Sequence, residues 1–171
     1  MKTSRRTLLA GAALGALTAC STTPSKFKKY DGPPVTQVLV RKGERKMYLL
    51  NGNRALKVYN VGLGFAPVGH KNFEGDGRTP EGLYHIDRRN PNSRYHLSIG
   101  VSYPNEVDTA RAMAMGRSAG SDIFIHGRGP EGRALVQQRW DWTAGCIAVS
   151  DEEMEDVYAM VRDGTPIIIT A

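Results

Sequence analysis

Apolar and polar positions first alternate in three short runs, 36–41 (TQVLVR), 46–50 (KMYLL) and 55–62 (ALKVYNVG). A period of two with β-branched and aromatic residues predicts strands, and Asn51-Gly52-Asn53 predicts a hairpin turn between the second and third. A glycine- and charge-rich segment, 64–82, follows. Strand patterns return at 83–87, 95–101 (YHLSIGV), 122–126 (DIFIH, apolar enough to be buried), 146–149 and 166–170 (PIIIT). The helical period of 3.6 shows twice. One short helix is expected over 110–115, after Pro104. A second opens at Ser150, which forms a capping box with Glu153, carries Met154, Val157, Tyr158 and Val161 on one face, and ends at Gly164. Residues 127–145 read as a polar loop. No internal repeat is present, and the pattern predicts a mostly β domain with a few helices (α+β), spanning 35–171.

The N-terminal part has another character. Residues 1–20 (MKTSRRTLLAGAALGALTAC) join a positive start, a twelve-residue apolar run and small residues. That run is too short to span a bilayer, and it reads as an export leader. Within it, Ser4-Arg5-Arg6-Thr7-Leu8-Leu9 looks like a twin-arginine motif, and Leu17-Thr18-Ala19-Cys20 resembles a bacterial lipobox. The expectation is an exported chain of the cell envelope, lipidated on Cys20 and facing the periplasm, with the outer membrane as a plausible address. Residues 21–34 (STTPSKFKKYDGPP) are polar and proline-rich, and predict a flexible tether.

Charge excludes one class of partner. The chain holds 23 basic and 17 acidic residues, and Lys2, Arg5 and Arg6 fall in the leader, which leaves 20 against 17. So mild a balance, without a basic run interleaved with aromatics, argues against nucleic acid. A metal is not expected either, because no histidine pair has i, i+4 spacing and no paired-cysteine motif occurs. No cofactor is predicted, and a monomer is assumed.

The two cysteines carry more information. If Cys20 is acylated, Cys146 is the lone thiol of an exported protein. It is then a reactive group, half of an intermolecular disulfide, or a small buried hydrophobe. A cysteine nucleophile needs a base, oxyanion donors and access. Gly145 permits a sharp turn before Cys146, whose backbone N–H groups could form an oxyanion hole. The candidate base is His126, delivered by a strand and followed by Gly127, which leaves room for a substrate. His85 and His96 lie in strand-like runs and are expected to be structural or surface residues; His70 could line a cleft.

These residues bring a family into view. His126-Gly127 followed by Thr143-Ala144-Gly145-Cys146 resembles the signature of the L,D-transpeptidase catalytic domain (the YkuD-type fold). Gly75-Asp76-Gly77-Arg78-Thr79-Pro80-Glu81-Gly82-Leu83-Tyr84 and Ile123-Phe124-Ile125-His126-Gly127 look like its YafK-like branch. The resemblance covers about 35–171 and implies a β-sandwich-like fold acting on peptidoglycan stem peptides. It assigns Cys146 as nucleophile, His126 as base, Gly145 to the oxyanion turn and Thr143 to the Ser/Thr position. It also places Arg78 and Glu81 beside the substrate groove. Arg128 and Arg139 are candidates to grip stem carboxylates, since guanidinium matches carboxylate bidentately. Two positions depart from the signature. Ala144 replaces the histidine before Gly-Cys, and Ala148 replaces the Asn or Arg two residues after the cysteine. Both put the acceptor in doubt, so a YafK-like amidase or hydrolase stands as the alternative to a cross-linking transpeptidase.

Two other readings remain. Gly127-Arg128-Gly129-Pro130-Glu131-Gly132 matches G-x-G-x-x-G with Asp151 beyond it. It fails as a dinucleotide site, because 133–140 is short for a crossover helix and too little chain follows. A non-catalytic peptidoglycan-binding module would explain an anchor and a groove, but not a thiol kept beside a histidine.

Overall fold

A computed structural model describes residues 25–171; the leader, the twin-arginine motif and Cys20 lie outside the described residues. Among the described residues the fold is mostly β with three helices, and eight strands form one sheet in the order β3-β2-β1-β8-β4-β5-β6-β7. The first half is β1 (Gln37–Arg41), β2 (Lys46–Asn51) and β3 (Arg54–Asn60). Alternation sends Val38, Val40, Met47 and Leu49 inward, all fully buried, and each such side chain contributes about 1.5–3 kcal/mol by leaving water. The last strand, β8 (Pro166–Thr170), inserts parallel to β1 and antiparallel to β4 (Gly82–Asn90). A bulge in β4 between Ile86 and Arg88 bends the strand, so that it also pairs with β5 (Ser98–Val101). Antiparallel β6 (Phe124–His126) and then parallel β7 (Ile147–Ala148) complete the sheet.

The two outer strands, β3 and β7, meet. Gly62, just past β3, exchanges hydrogen bonds with Ala148 of β7 at 2.9 and 2.8 Å, and Gly64 bridges Thr143. The sheet thus curls until its edges touch beside Cys146. The core inside combines Ile99, Ile125, Ile147, Ile167 and Ile169 with Met154 and Val157 of the C-terminal helix.

The helices are α1 (Glu106–Ala114), α2 (Gly129–Gln138) and α3 (Asp151–Met160). The Ser150/Glu153 capping box of α3 forms as expected. In α1 an equivalent box, Asn105 with Asp108, starts the helix earlier than its apolar pattern indicates. The expected polar loop 127–145 contains α2, whose first turn carries Gly129, Pro130 and Gly132 and whose hydrogen-bond donors are met from outside. Asp151 Oδ1 accepts from Arg128 N–H at 2.7 Å and Gly129 N–H at 2.8 Å, while its Oδ2 pairs with Arg133. Burial pushes the Asp151 carboxyl up, but those N–H groups and the guanidinium outweigh it and hold it low. The G-x-G-x-x-G turn therefore surrounds an anion that the protein itself supplies, and a Cβ on Gly127 would meet that carboxylate at 2.7 Å.

The expected flexible tether also differs in its described part. Tyr30 packs on the core, Lys28 pairs with Asp156 at 2.8 Å, and the Phe27 ring lies 6.1 Å from that of Tyr158. Among the described residues no helix is long and apolar enough to cross a membrane.

Candidate active site

Strand register brings the cysteine and histidine to one face. β6 and β7 pair with Ile125 opposite Ile147 and His126 opposite Ala148. Side chains alternate along strands, so Ile125 and Ile147 point into the core. Cys146, level with Phe124, then lies on the same face as His126. Both line one cavity of about 360 Å³, together with Asn90, Ser93, Arg94, Tyr95, Ser98, Asp122 and Phe124. Cys146 and Asp122 also border a second cavity of about 310 Å³, which includes Lys71, Glu74 and Ala144. The thiol thus stands on a partition between two clefts.

His126 is 3% exposed and tightly oriented. Its Nδ1 lies 2.6 Å from the Gly127 carbonyl oxygen. A carbonyl only accepts, so Nδ1 carries the proton and Nε2 keeps a free lone pair. Tyr95 stacks on the ring at 4.7 Å, and Trp142 meets it edge-on at 5.5 Å. Burial pushes the imidazole down to about 4, against the opposing pull of the Gly127 carbonyl.

Cys146 is partly exposed, and its sulfur donates to the Asp122 carbonyl at 3.4 Å. Burial pushes the thiol up to about 11, against the weaker opposing effects of the Phe124 N–H, Lys71 and Arg88. The preceding turn is held internally. Gly145 N–H donates to Thr143 Oγ1 at 3.1 Å, and that hydroxyl donates to the Cys146 carbonyl at 2.7 Å. Gly145 has φ = 141°, and a Cβ there would sit 2.7 Å from the Arg78 carbonyl oxygen. The Gly145 N–H is therefore occupied, whereas the Cys146 N–H has no protein acceptor among the described residues. At rest the arrangement is a neutral thiol, a neutral imidazole and one free backbone donor beside the sulfur.

The other predicted site residues are spread more widely. Gly127 joins β6 to the turn before α2, wedged between Asp151 and the Tyr95 carbonyl. Arg128 stacks over Trp140 and borders a different cavity, with Arg133 and Glu152. Arg139 lies beside Leu135 and Gln138, behind Trp142. Arg78 approaches the site through its backbone, against Gly145. Glu81 pairs with buried Lys42 at 2.8 Å, which also donates to the Gly69 and Thr79 carbonyls. Neither Arg128, Arg139, Arg78 nor Glu81 lines a cavity that contains Cys146. His70 pairs with buried Asp108 at 3.1 Å, His96 pairs with Glu155 at 2.9 Å, and His85 is exposed. Among the described residues no cluster of His, Cys, Asp and Glu has the makings of a metal site.

Sequence reasoning passed over Arg94, Tyr95 and Asp122. The apolar pattern places Tyr95 in a strand, whereas the strand begins three residues later, at Ser98. The signal available was the turn-forming run Asn90-Pro91-Asn92-Ser93, which marks 90–95 as a loop.

A curled sheet with a histidine ending one short strand and a cysteine just ahead of its neighbour, both opening into one cleft, defines a class. The chain belongs to the L,D-transpeptidase catalytic domain family (YkuD), whose model matches residues 36–169. Among its relatives is the Escherichia coli (strain K12) protein YafK, itself assigned only provisionally as an L,D-transpeptidase. The two are 26% identical over 156 residues, 86% of this chain and 56% of YafK. The helical cell shape determining protein Pgp2 from Campylobacter jejuni superposes with a TM-score of 0.60 at 24% identity, over 78% of this chain and 46% of that one. An L,D-transpeptidase from Mycobacterium smegmatis gives 0.53 at 15% identity, over 80% and 59%. The chain thus spans about half the length of the relatives it matches.

Proposed function

We propose that the protein is a cysteine acyltransferase acting on peptidoglycan stem peptides, with Cys146 as nucleophile and His126 as base. The observation that carries the reading is the β6–β7 register, which presents both side chains to one cavity. His126 Nε2 takes the thiol proton as sulfur attacks the donor carbonyl, and the developing oxyanion meets the Cys146 N–H. The amide C–N bond then breaks, the leaving amine takes the proton from His126, and a thioester remains. An amine acceptor gives up a proton to His126, attacks the thioester and expels the sulfur, which takes that proton back from His126 as the new peptide bond forms. Water in its place yields a free carboxylate. Arg94, which pairs with Glu131, is the guanidinium that lines the cleft shared by Cys146 and His126, and a stem carboxylate would exchange with Glu131 there; it replaces Arg128 and Arg139 as the candidate. Export by the twin-arginine leader and anchoring through Cys20 complete the proposal, placing the domain at a membrane surface facing the wall.

Hydrolysis is the second reading, and Ala144 is what favours it. This exposed residue borders the second cavity, where a methyl group in place of an imidazole leaves more room for solvent. Mass spectrometry of muropeptides, after incubating purified sacculi with the protein, tests both. New cross-links between stems support transfer; released peptides or proteins support hydrolysis. Cys146→Ala is expected to abolish either product without unfolding the chain. Sacculus binding with no turnover by the wild type would refute the enzyme and favour a binding module.

A further inference from the structure

The chain ahead of β1 fastens onto the rim of the active-site cavity. Lys26 Nζ donates to the Pro91 carbonyl at 2.6 Å and to the His96 carbonyl at 3.2 Å. Those carbonyls stand at the two ends of loop 91–96, whose Ser93, Arg94 and Tyr95 line the cleft with Cys146 and His126. Two carbonyl dipoles converging on one point repel unless a cation lies between them, and the Lys26 ammonium spans the mouth of the loop.

The loop needs such support. His96 has φ = 78°, in the left-handed region that a residue with a Cβ avoids. Strained conformations persist where the surroundings over-determine them. Here Lys26 holds the His96 carbonyl while Glu155 of α3 holds its imidazole at 2.9 Å. The same helix secures the segment, since Asp156 pairs with Lys28 and Tyr158 packs on Phe27. Strap and helix therefore grip one strained residue from two sides. The residue before it is Tyr95, which stacks on His126.

We propose that segment 25–28 is a positioning strap of the active site. Lys26 fixes the backbone of loop 91–96 and through it the seat of Tyr95 against the His126 imidazole, so the linker belongs to the enzyme. The inference rests on His126 acting as the base.

The test compares Lys26→Ala, Lys26→Arg and the exposed control Lys29→Ala with wild type, all as the full chain. Turnover of purified muropeptides is measured against pH, and hydrogen exchange is followed at the amides of 91–96. Lys26→Ala is expected to lower kcat/KM about tenfold, the scale of one lost charge-assisted hydrogen bond. It is also expected to speed exchange in the loop. The acid limb of its pH profile should move up toward the ordinary histidine value, as the ring loses its cover. Lys26→Arg should recover most of the rate, and Lys29→Ala should match wild type. An active wild type with an unchanged Lys26→Ala rate and acid limb overturns the strap and leaves the proposed function standing. If the wild type has no activity, the function fails, and loop exchange decides the strap: equal rates in wild type and Lys26→Ala overturn it.

Discussion

Alkylation of Cys146 by iodoacetamide, followed by mass spectrometry from about pH 5 to about pH 11, reads the resting charge state of the site. Burial holds the thiol near 11 and the imidazole near 4, so at neutral pH both are uncharged. The thiolate fraction at pH 7 is then about 10⁻⁴, against roughly 3 × 10⁻² for an unperturbed cysteine near pKa 8.5. That is a deficit of about 300-fold. A less acidic thiol is the stronger nucleophile once ionised, and a Brønsted slope of about 0.4–0.5 returns roughly tenfold over the difference. Net alkylation at pH 7 is expected to be about 30-fold slower than that of free cysteine, rising about tenfold per pH unit toward 11. His126→Ala should keep that slope, since the imidazole carries no charge at rest. The same change should lower acyl transfer by roughly 10²–10⁴, the usual worth of a positioned base. A profile already flat across neutral pH, and faster than free cysteine, would mean a preformed thiolate–imidazolium pair and would refute the argument from burial.

Three further outcomes follow from the same geometry. His126 has a folded pKa depressed from about 6.5 to about 4, so its contribution to stability is present above pH 6.5 and lost as pH falls toward 4. Urea titrations at stepped pH should show a loss of about 3 kcal/mol in wild type that is missing from His126→Phe; parallel curves for the two proteins would count against it. Gly145→Ala places a Cβ 2.7 Å from the Arg78 carbonyl oxygen, at φ = 141°. It should cost about 1–3 kcal/mol in denaturant unfolding and stop turnover, and a wild-type midpoint would remove the steric argument. Asp151→Ala strips the acceptor from two N–H groups and from Arg133. Its expected cost is about 1–3 kcal/mol, read as faster amide exchange at 128–133, and unaltered exchange there would show that α2 caps itself.

Local chemistry was legible in the sequence, and long-range closure was not. The hairpin at Asn51-Gly52-Asn53, the Ser150 cap and the Pro166–Thr170 strand follow from periodicity and capping, which act within a few residues. Helix α2 was hidden because its first turn carries two glycines and a proline, and its missing acceptors come from Asp151, far along the chain. Cys146 and His126 could be nominated from their neighbours. For Arg94 and Tyr95 the sequence marks a loop after Asn90, but not that the loop borders the cleft of Cys146 and His126, which the tertiary fold decides. Arg128 and Glu81 had the right chemistry for a groove, but Trp140 and Lys42 engage them elsewhere.

The bridge between Gly62 and Ala148 bears on the order in which this protein assembles. β7 has only two residues, and it is held on one side by β6 and on the other by a partner far back in the sequence. Contacts of such wide separation carry a large loop-closure entropy and tend to form late. Cys146 therefore receives its final support when the curl shuts, after both halves of the sheet exist. A partly folded chain would hold Cys146 as an ordinary thiol with no aligned base. The proposed chemistry would then begin only with the complete fold, because thiol and imidazole share a cleft only once the sheet has closed.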